Sequence, residues 1–134
     1  MPAKILLVDD DPDVMLFNKA VAEENGYEPV TAANGEEGLD LLEKERPELV
    51  VLDVLMPKQS GIKMYRTIKT DEQWQDIPVV ILSGISRRSF LKSQEALSEF
   101  GEDTVPEPEA YLEKPVEADE LAQTIQETLN RVGC

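Results

Sequence analysis

The stretch ELVVLDVL, residues 48–55, decides how the rest of the chain is read. Leu49, Val50, Val51 and Leu52 follow one another with no polar residue between them. A strand with one wet face alternates apolar and polar residues. A strand that is apolar throughout must be covered on both faces, which is the situation inside a parallel sheet flanked by helices. The run then ends in Asp53. A lone carboxylate at the end of a buried strand is costly unless something compensates it.

Similar runs recur along the chain. KILLVD (residues 4–9) reads as a first buried strand, EPVTAA (28–33) as a weaker second one, IPVVILSG (77–84) as a fourth and AYLEKP (110–115) as a short fifth. Helical patterns fill the intervals. Asp11 is placed to cap a first helix, with Pro12 at its first position. Val14, Phe17, Val21 and Ala22 give that helix an apolar face, and Gly26 closes it. Asn34 followed by Glu37 has the form of a capping box, Leu39, Leu41 and Leu42 supply the face, and Pro47 stops the second helix. A third helix is predicted over about 61–70, a fourth over about 86–100 and a fifth over about 119–131. In the fifth, Leu121, Ile125 and Leu129 fall four residues apart. Five successive β-α units predict one open, doubly wound α/β sheet with right-handed crossovers.

Composition narrows the function. The 134 residues suit a single domain. The net charge of −15 disfavours nucleic acid, whose phosphates are bound by Lys and Arg, and disfavours an anionic membrane surface. Nothing resembles a membrane span or a signal peptide, and the single cysteine, Cys134, allows no internal disulfide. A cytoplasmic protein is the expectation.

In a doubly wound sheet, ligands sit beyond the carboxyl ends of the strands. Asp9 and Asp10 end the first strand, Asp53 the third, Ser83 and Gly84 the fourth, and Lys114 and Pro115 the fifth. Three carboxylates, a hydroxyl and an ammonium would therefore meet in one crevice. Clustered carboxylates repel unless a cation neutralises them. Oxygen donors in a chain with no His suit Mg²⁺, with Mn²⁺ as an alternative, and not zinc. An Asp beside such an ion can attack phosphorus. Lys114 and Ser83 can then stabilise phosphoryl oxygens. Asp11 and Asp13 need no such role, because acidic residues favour a helix start.

LLVDDD, LVVLDVLMP followed by SGIKM, VVILSG and YLEKP, taken together and in this order, resemble the receiver domain of bacterial two-component response regulators. The resemblance spans nearly the whole chain. It implies a flavodoxin-like sheet of strand order 2-1-3-4-5. It implies that Asp53 accepts a phosphoryl group and that Asp9, Asp10, Asp53 and the Leu55 backbone carbonyl hold Mg²⁺. It also implies that Ser83 is the switch hydroxyl, that Lys114 pairs with the phosphoryl group, that the Lys114–Pro115 bond is cis, and that Tyr111 is the switch aromatic. The implied partners are a histidine kinase or phosphotransfer protein and a downstream protein bound at the face of helix 4, strand 5 and helix 5. A stand-alone receiver over residues 1–134, with no output domain and with self-phosphorylation and self-dephosphorylation as its only catalysis, is the expectation.

Two departures stand out. EFGEDTVPEPEA (residues 99–110) holds five acidic residues and two prolines, and is about eight to ten residues longer than the family's usual connection. Leu55 puts a bulky apolar side chain where family members often carry a polar one. A phosphorylation-independent adaptor of the same fold is the alternative function. A phosphatase is disfavoured, since Leu55 stands where a second Asp would be needed. Arg87, Arg88 and Lys92 form a basic patch that reads either as a solvated face or as a contact for an acidic partner.

Overall fold

The computed structural model describes residues 2–99, 101 and 104–132. Cys134, and Phe100 at the expected end of the fourth helix, lie outside the described residues. The strands are β1 (Lys4–Val8), β2 (Glu28–Ala32), β3 (Leu49–Leu52), β4 (Val79–Ser83) and β5 (Ala110–Glu113). The helices are α1 (Pro12–Glu24), α2 (Gly35–Glu45), α3 (Ser60–Thr70), α4 (Arg87–Glu99) and α5 (Ala118–Val132). A short 3₁₀ turn, Pro57–Gln59, leads into α3. All strand pairs are parallel, in the order β2-β1-β3-β4-β5. The order reverses next to β1, so the topological switch point lies between β1 and β3, where Asp9 and Asp53 end their strands.

The continuous apolar runs are explained by the two cores they serve. Leu6, Val8, Val50, Leu52, Val79 and Ile81 point to one face, against Leu42 of α2, Met64, Tyr65 and Ile68 of α3 and Phe90 of α4. Ile5, Leu7, Leu49, Val51, Val80 and Leu82 point to the other, against Val21 of α1 and Leu121 and Ile125 of α5. Alternate residues of one strand thus fill different cores, and neither set can be polar.

Helix ends follow the sequence signals. The Asp11 carboxylate accepts from the Asp13 and Val14 N–H groups, and Asn34 Oδ1 accepts from Glu37 N at 2.9 Å. Gly26 has φ +82°, a conformation that costs a residue with a Cβ. Each strand stops short of its sequence-based boundary, β3 most of all, at Leu52 rather than Leu55. The backbone turns there because the Asp53 carboxylate accepts from the Leu55 N–H at 2.9 Å, closing a local Asx-type turn. Lys114–Pro115 is cis.

The described part of the acidic connection, residues 104–109, is not simply solvated. Val105 packs against the core that contains Tyr65 and Phe90. Tyr65 Oη donates to the Pro106 carbonyl. The Lys69 ammonium, on a side chain 1% exposed, bonds both Glu109 carboxylate oxygens at 2.7 and 3.1 Å and the Ile77 carbonyl at 3.3 Å. Glu109 Oε1 also accepts from the Val79 N–H at 2.7 Å. The loop is therefore stitched to α3 and to the start of β4.

Gly61 sets the distance between α3 and the end of β3. A Cβ there would run into the Asp53 carbonyl oxygen and Val54 Cα, both backbone atoms that cannot step aside. At Gly84 a Cβ would meet only Leu55 Cδ1, at 3.8 Å. Gly61→Ala is expected to destabilise the protein by about 1–3 kcal/mol, and Gly84→Ala to stay within about 0.5 kcal/mol of wild type. Urea unfolding midpoints compare the two.

Candidate functional site

The crevice at the carboxyl edge of the sheet collects its residues from four strands. Asp9 follows β1 directly, and its N–H donates to the Ala32 carbonyl of β2 at 3.1 Å. The Asp53 N–H donates to the Val8 carbonyl at 3.0 Å, so both Asp backbones continue the ladder. Ser83 is the last residue of β4, and its carbonyl accepts from the Lys114 N–H at 2.8 Å. The sheet ladder itself thus fixes the spacing of these four residues.

Their side chains converge. Lys114 Nζ lies 2.9 Å from Asp9 Oδ2 and 3.2 Å from Asp53 Oδ2. Ser83 Oγ donates to Asp53 Oδ1 at 2.7 Å, and that oxygen also accepts from the Leu55 N–H. Asp9 Oδ1 accepts from the Asp11 N–H at 2.9 Å. Asp9, Asp53 and Ser83 are buried, whereas Asp10 is exposed at the mouth.

Burial dominates the electrostatics. It raises the Asp9 carboxyl above its ordinary value, against the opposing pull of the Lys114 hydrogen bond, the Asp11 N–H and the Lys114 charge. For Lys114, burial is the largest single influence and acts downward. The hydrogen bond to Asp9 and the charges of Asp53 and Asp9 outweigh it, so its ammonium titrates above the usual lysine value. One ammonium therefore holds together two carboxylates that would otherwise repel. Oxygens of Asp9, Asp10 and Asp53 lie within 4.8 Å of one another. Oxygen donors at that spacing, one of them open to solvent, fit a hard divalent ion such as Mg²⁺.

Tyr111 is half-buried on β5. Its hydroxyl donates to the Ile85 carbonyl at 2.7 Å, and burial, then the Glu113 and Asp53 charges, push its pKa up to about 12. Its ring packs on Phe90 at 5.7 Å, and Phe90 packs edge-on against Tyr65 at 5.4 Å. Leu55 stands at the crevice mouth, 54% exposed. The structure thus brings together Asp9, Asp10, Asp53, Ser83 and Lys114 as the sequence predicts, and places Tyr111 and Leu55 at the margins. Of the basic patch, Arg87 is tied to Glu107 and its N–H donates to Glu113, while Arg88 and Lys92 are exposed. Sequence reasoning did not find the Lys69–Glu109 pair. Lys69 is buried on α3 with Tyr65 and Ile68, but nothing local to it in the sequence points to Glu109.

A five-stranded doubly wound sheet with an acidic crevice and a lysine at its switch point defines a receiver. The chain matches the response regulator receiver domain model over residues 5–126 and belongs to that family. It is 33% identical to the protein PilH of Pseudomonas aeruginosa over 127 residues, covering 95% of this chain and 98% of that one. It is 29% identical to the polar-differentiation response regulator DivK of Brucella anthropi over 129 residues, covering 96% and 98%. The structure of a CheY-like receiver domain protein from Methanospirillum hungatei superposes with a TM-score of 0.82 at 26% identity, over 99% of this chain and 98% of that one. This is a two-component signalling domain. No helix among the described residues is long and apolar enough to cross a membrane.

The Asp9 shift has a definite sign. The folded carboxyl titrates above the unfolded one, so folding disfavours its charged form. That cost is present above the folded pKa and vanishes as pH falls below the unfolded value of 3.8. Asp9→Asn is therefore expected to raise the melting temperature by a few degrees at pH 7 in EDTA, with the gain shrinking as the pH is lowered towards 4. Calorimetry across that range checks both the sign and its trend.

Proposed function

We propose that this receiver takes a phosphoryl group onto Asp53 and thereby changes its affinity for a partner protein. The observation that carries the reading is the pairing of Lys114 with both Asp9 and Asp53 beside the Ser83 hydroxyl. An Asp53 carboxylate oxygen attacks phosphorus, a phosphorus–oxygen bond forms, and the bond to the leaving group breaks with its electron pair going to that group. The leaving group is the imidazole of a phosphohistidine on the kinase or phosphotransfer protein, or acetate when acetyl phosphate is the donor. The Lys114 ammonium and the Ser83 hydroxyl, already directed at Asp53, donate to the phosphoryl oxygens as charge accumulates on them. Asp9, Asp10, Asp53 and the Leu55 carbonyl are the proposed holders of Mg²⁺, whose charge there offsets that of the phosphoryl oxygens.

Ser83 can serve one acceptor at a time with its single proton. When it turns to the phosphoryl group, it gives up its bond to Asp53 and draws the β4–α4 connection with it. Tyr111 is tied to that connection through the Ile85 carbonyl, so the hydroxyl's movement loosens its hold there. The altered surface is the face of α4, β5 and α5, bordered here by the 104–109 segment. That surface is proposed to meet the downstream protein. Residues 1–134 are proposed to act as one receiver unit, cytoplasmic, with catalysis confined to their own phosphorylation and dephosphorylation.

With acetyl phosphate and Mg²⁺, wild-type protein is expected to gain the mass of one phosphoryl group and Asp53→Asn to gain none. No gain in wild type, or equal gain in Asp53→Asn, removes the proposal. Equal partner affinity with and without beryllofluoride would instead favour the phosphorylation-independent adaptor.

Leu55 extends towards Gly84 across the crevice mouth. An apolar group there hinders the approach of a hydrolytic water. Phosphorylated Leu55→Asn is expected to release phosphate severalfold faster than wild type in a phosphate-release assay, and a slower variant contradicts the shielding role.

A further inference from the structure

Arg87 opens α4, and its N–H is one of the donors that a helix leaves unmatched at its start. The local cap serves a different donor, since Ser86 Oγ accepts from the Ser89 N–H at 3.1 Å. The Arg87 N–H instead donates to Glu113 Oε1 at 3.0 Å, across 26 residues of sequence. Glu113 is exposed at the end of β5 and has no part in the chemistry above. Its place in the sheet is specific. It stands opposite Ser83 in the β4–β5 ladder and immediately precedes Lys114. Tyr111, two residues earlier, shares its face of β5.

Two β5 side chains therefore hold the connection between β4 and α4. Tyr111 Oη donates to the Ile85 carbonyl at 2.7 Å, and the Glu113 carboxylate accepts from the Arg87 N–H two residues on. We propose that Glu113 is a positioning residue for the phosphorylation of Asp53, holding the start of α4 in the arrangement that precedes it. The inference rests on the phosphoryl-acceptor reading and adds a restraint on that same site. Ser83 bonds Asp53 in this arrangement and draws the connection with it when it turns to a phosphoryl group. Ile85 and Arg87 lie two and four residues beyond Ser83, so that movement pulls on both bonds to β5. A bond made only before phosphorylation stabilises that arrangement and disfavours the phosphoryl-bound one to the same extent. The Arg87 guanidinium also pairs with Glu107, but both side chains are 58% exposed, and such pairs contribute little. The Glu113 bond differs because its donor is a backbone N–H at a helix start, where a carboxylate is favoured. A carboxamide oxygen can accept the same bond without the charge, which separates the two effects.

Beryllofluoride with Mg²⁺ is the probe, titrated into the ¹⁵N-labelled full chain and followed by NMR at residues 83–87. Glu113→Ala is expected to bind it about fivefold more tightly than wild type, the size of one helix cap. Glu113→Gln, which keeps the acceptor, is expected to stay within about twofold of wild type. In wild type, amide exchange at Arg87 is expected to quicken on saturation with the probe. A merely structural role would lower the melting temperature of Glu113→Ala without tightening its binding. Equal or weaker binding by Glu113→Ala, or unchanged exchange at Arg87, overturns the inference while the phosphoryl reading stands. So does Glu113→Gln binding as tightly as Glu113→Ala, because the charge and not the bond would then set the affinity. No binding by wild type overturns the phosphoryl reading and the inference together.

Discussion

One ammonium between two buried carboxylates organises this molecule's functional edge. Lys114 reaches Asp9 and Asp53 at 2.9 and 3.2 Å. Removing ions from water is costly, and a buried pair recovers that cost only with good geometry and further hydrogen bonds. Those further bonds are present, from the Asp11 N–H to Asp9 and from Ser83 and the Leu55 N–H to Asp53. Even so, burial holds the Asp9 carboxyl above its ordinary value. That one lysine faces two buried carboxylates, with Asp10 close by at the mouth. Oxygen donors gathered in this way fit a hard divalent cation.

That arrangement depends on backbone placed elsewhere. The Asp9 and Asp53 N–H groups continue the sheet ladder, so the distance between the two carboxylates follows from the spacing of neighbouring strands. Gly61 lets α3 lie directly on the backbone at Asp53 and Val54, and Gly35 lets α2 lie on the Ser60 carbonyl. With the helices seated this closely, the carboxyl edge has little freedom to relax its charges by moving apart.

The face beyond the crevice is shaped by the acidic connection into β5. Tyr111, Phe90 and Tyr65 form a continuous aromatic contact from β5 through α4 to α3, and Tyr65 ends it at the Pro106 carbonyl. Glu109 is held by Lys69, and Glu107 by Arg87. Segment 104–109 is therefore part of the folded surface beside Tyr111 and α4, and any partner using this side of the molecule meets it.

The sequence by itself determined the sheet, the alternation of strands and helices, and the five side chains at the strand ends. It could do so because a strand buried on both faces must be apolar throughout, and because a carboxylate after such a run has few structural explanations. The helix starts at Asp11 and Asn34 were legible for a similar reason, since caps act over three residues. Where strands end was less legible. β3 stops at Leu52 because Asp53 bonds the Leu55 N–H, a local competition that apolar patterning does not register. Only the tertiary structure decided that Lys69 is buried with Glu109 forty residues away, that Val105 and Pro106 belong to the packed surface, and that Asn18 is buried on α1. A lysine, a proline-rich acidic loop and a helical asparagine each read as solvated in isolation. Their burial comes from which distant segment the fold brings against them, and no local pattern encodes that.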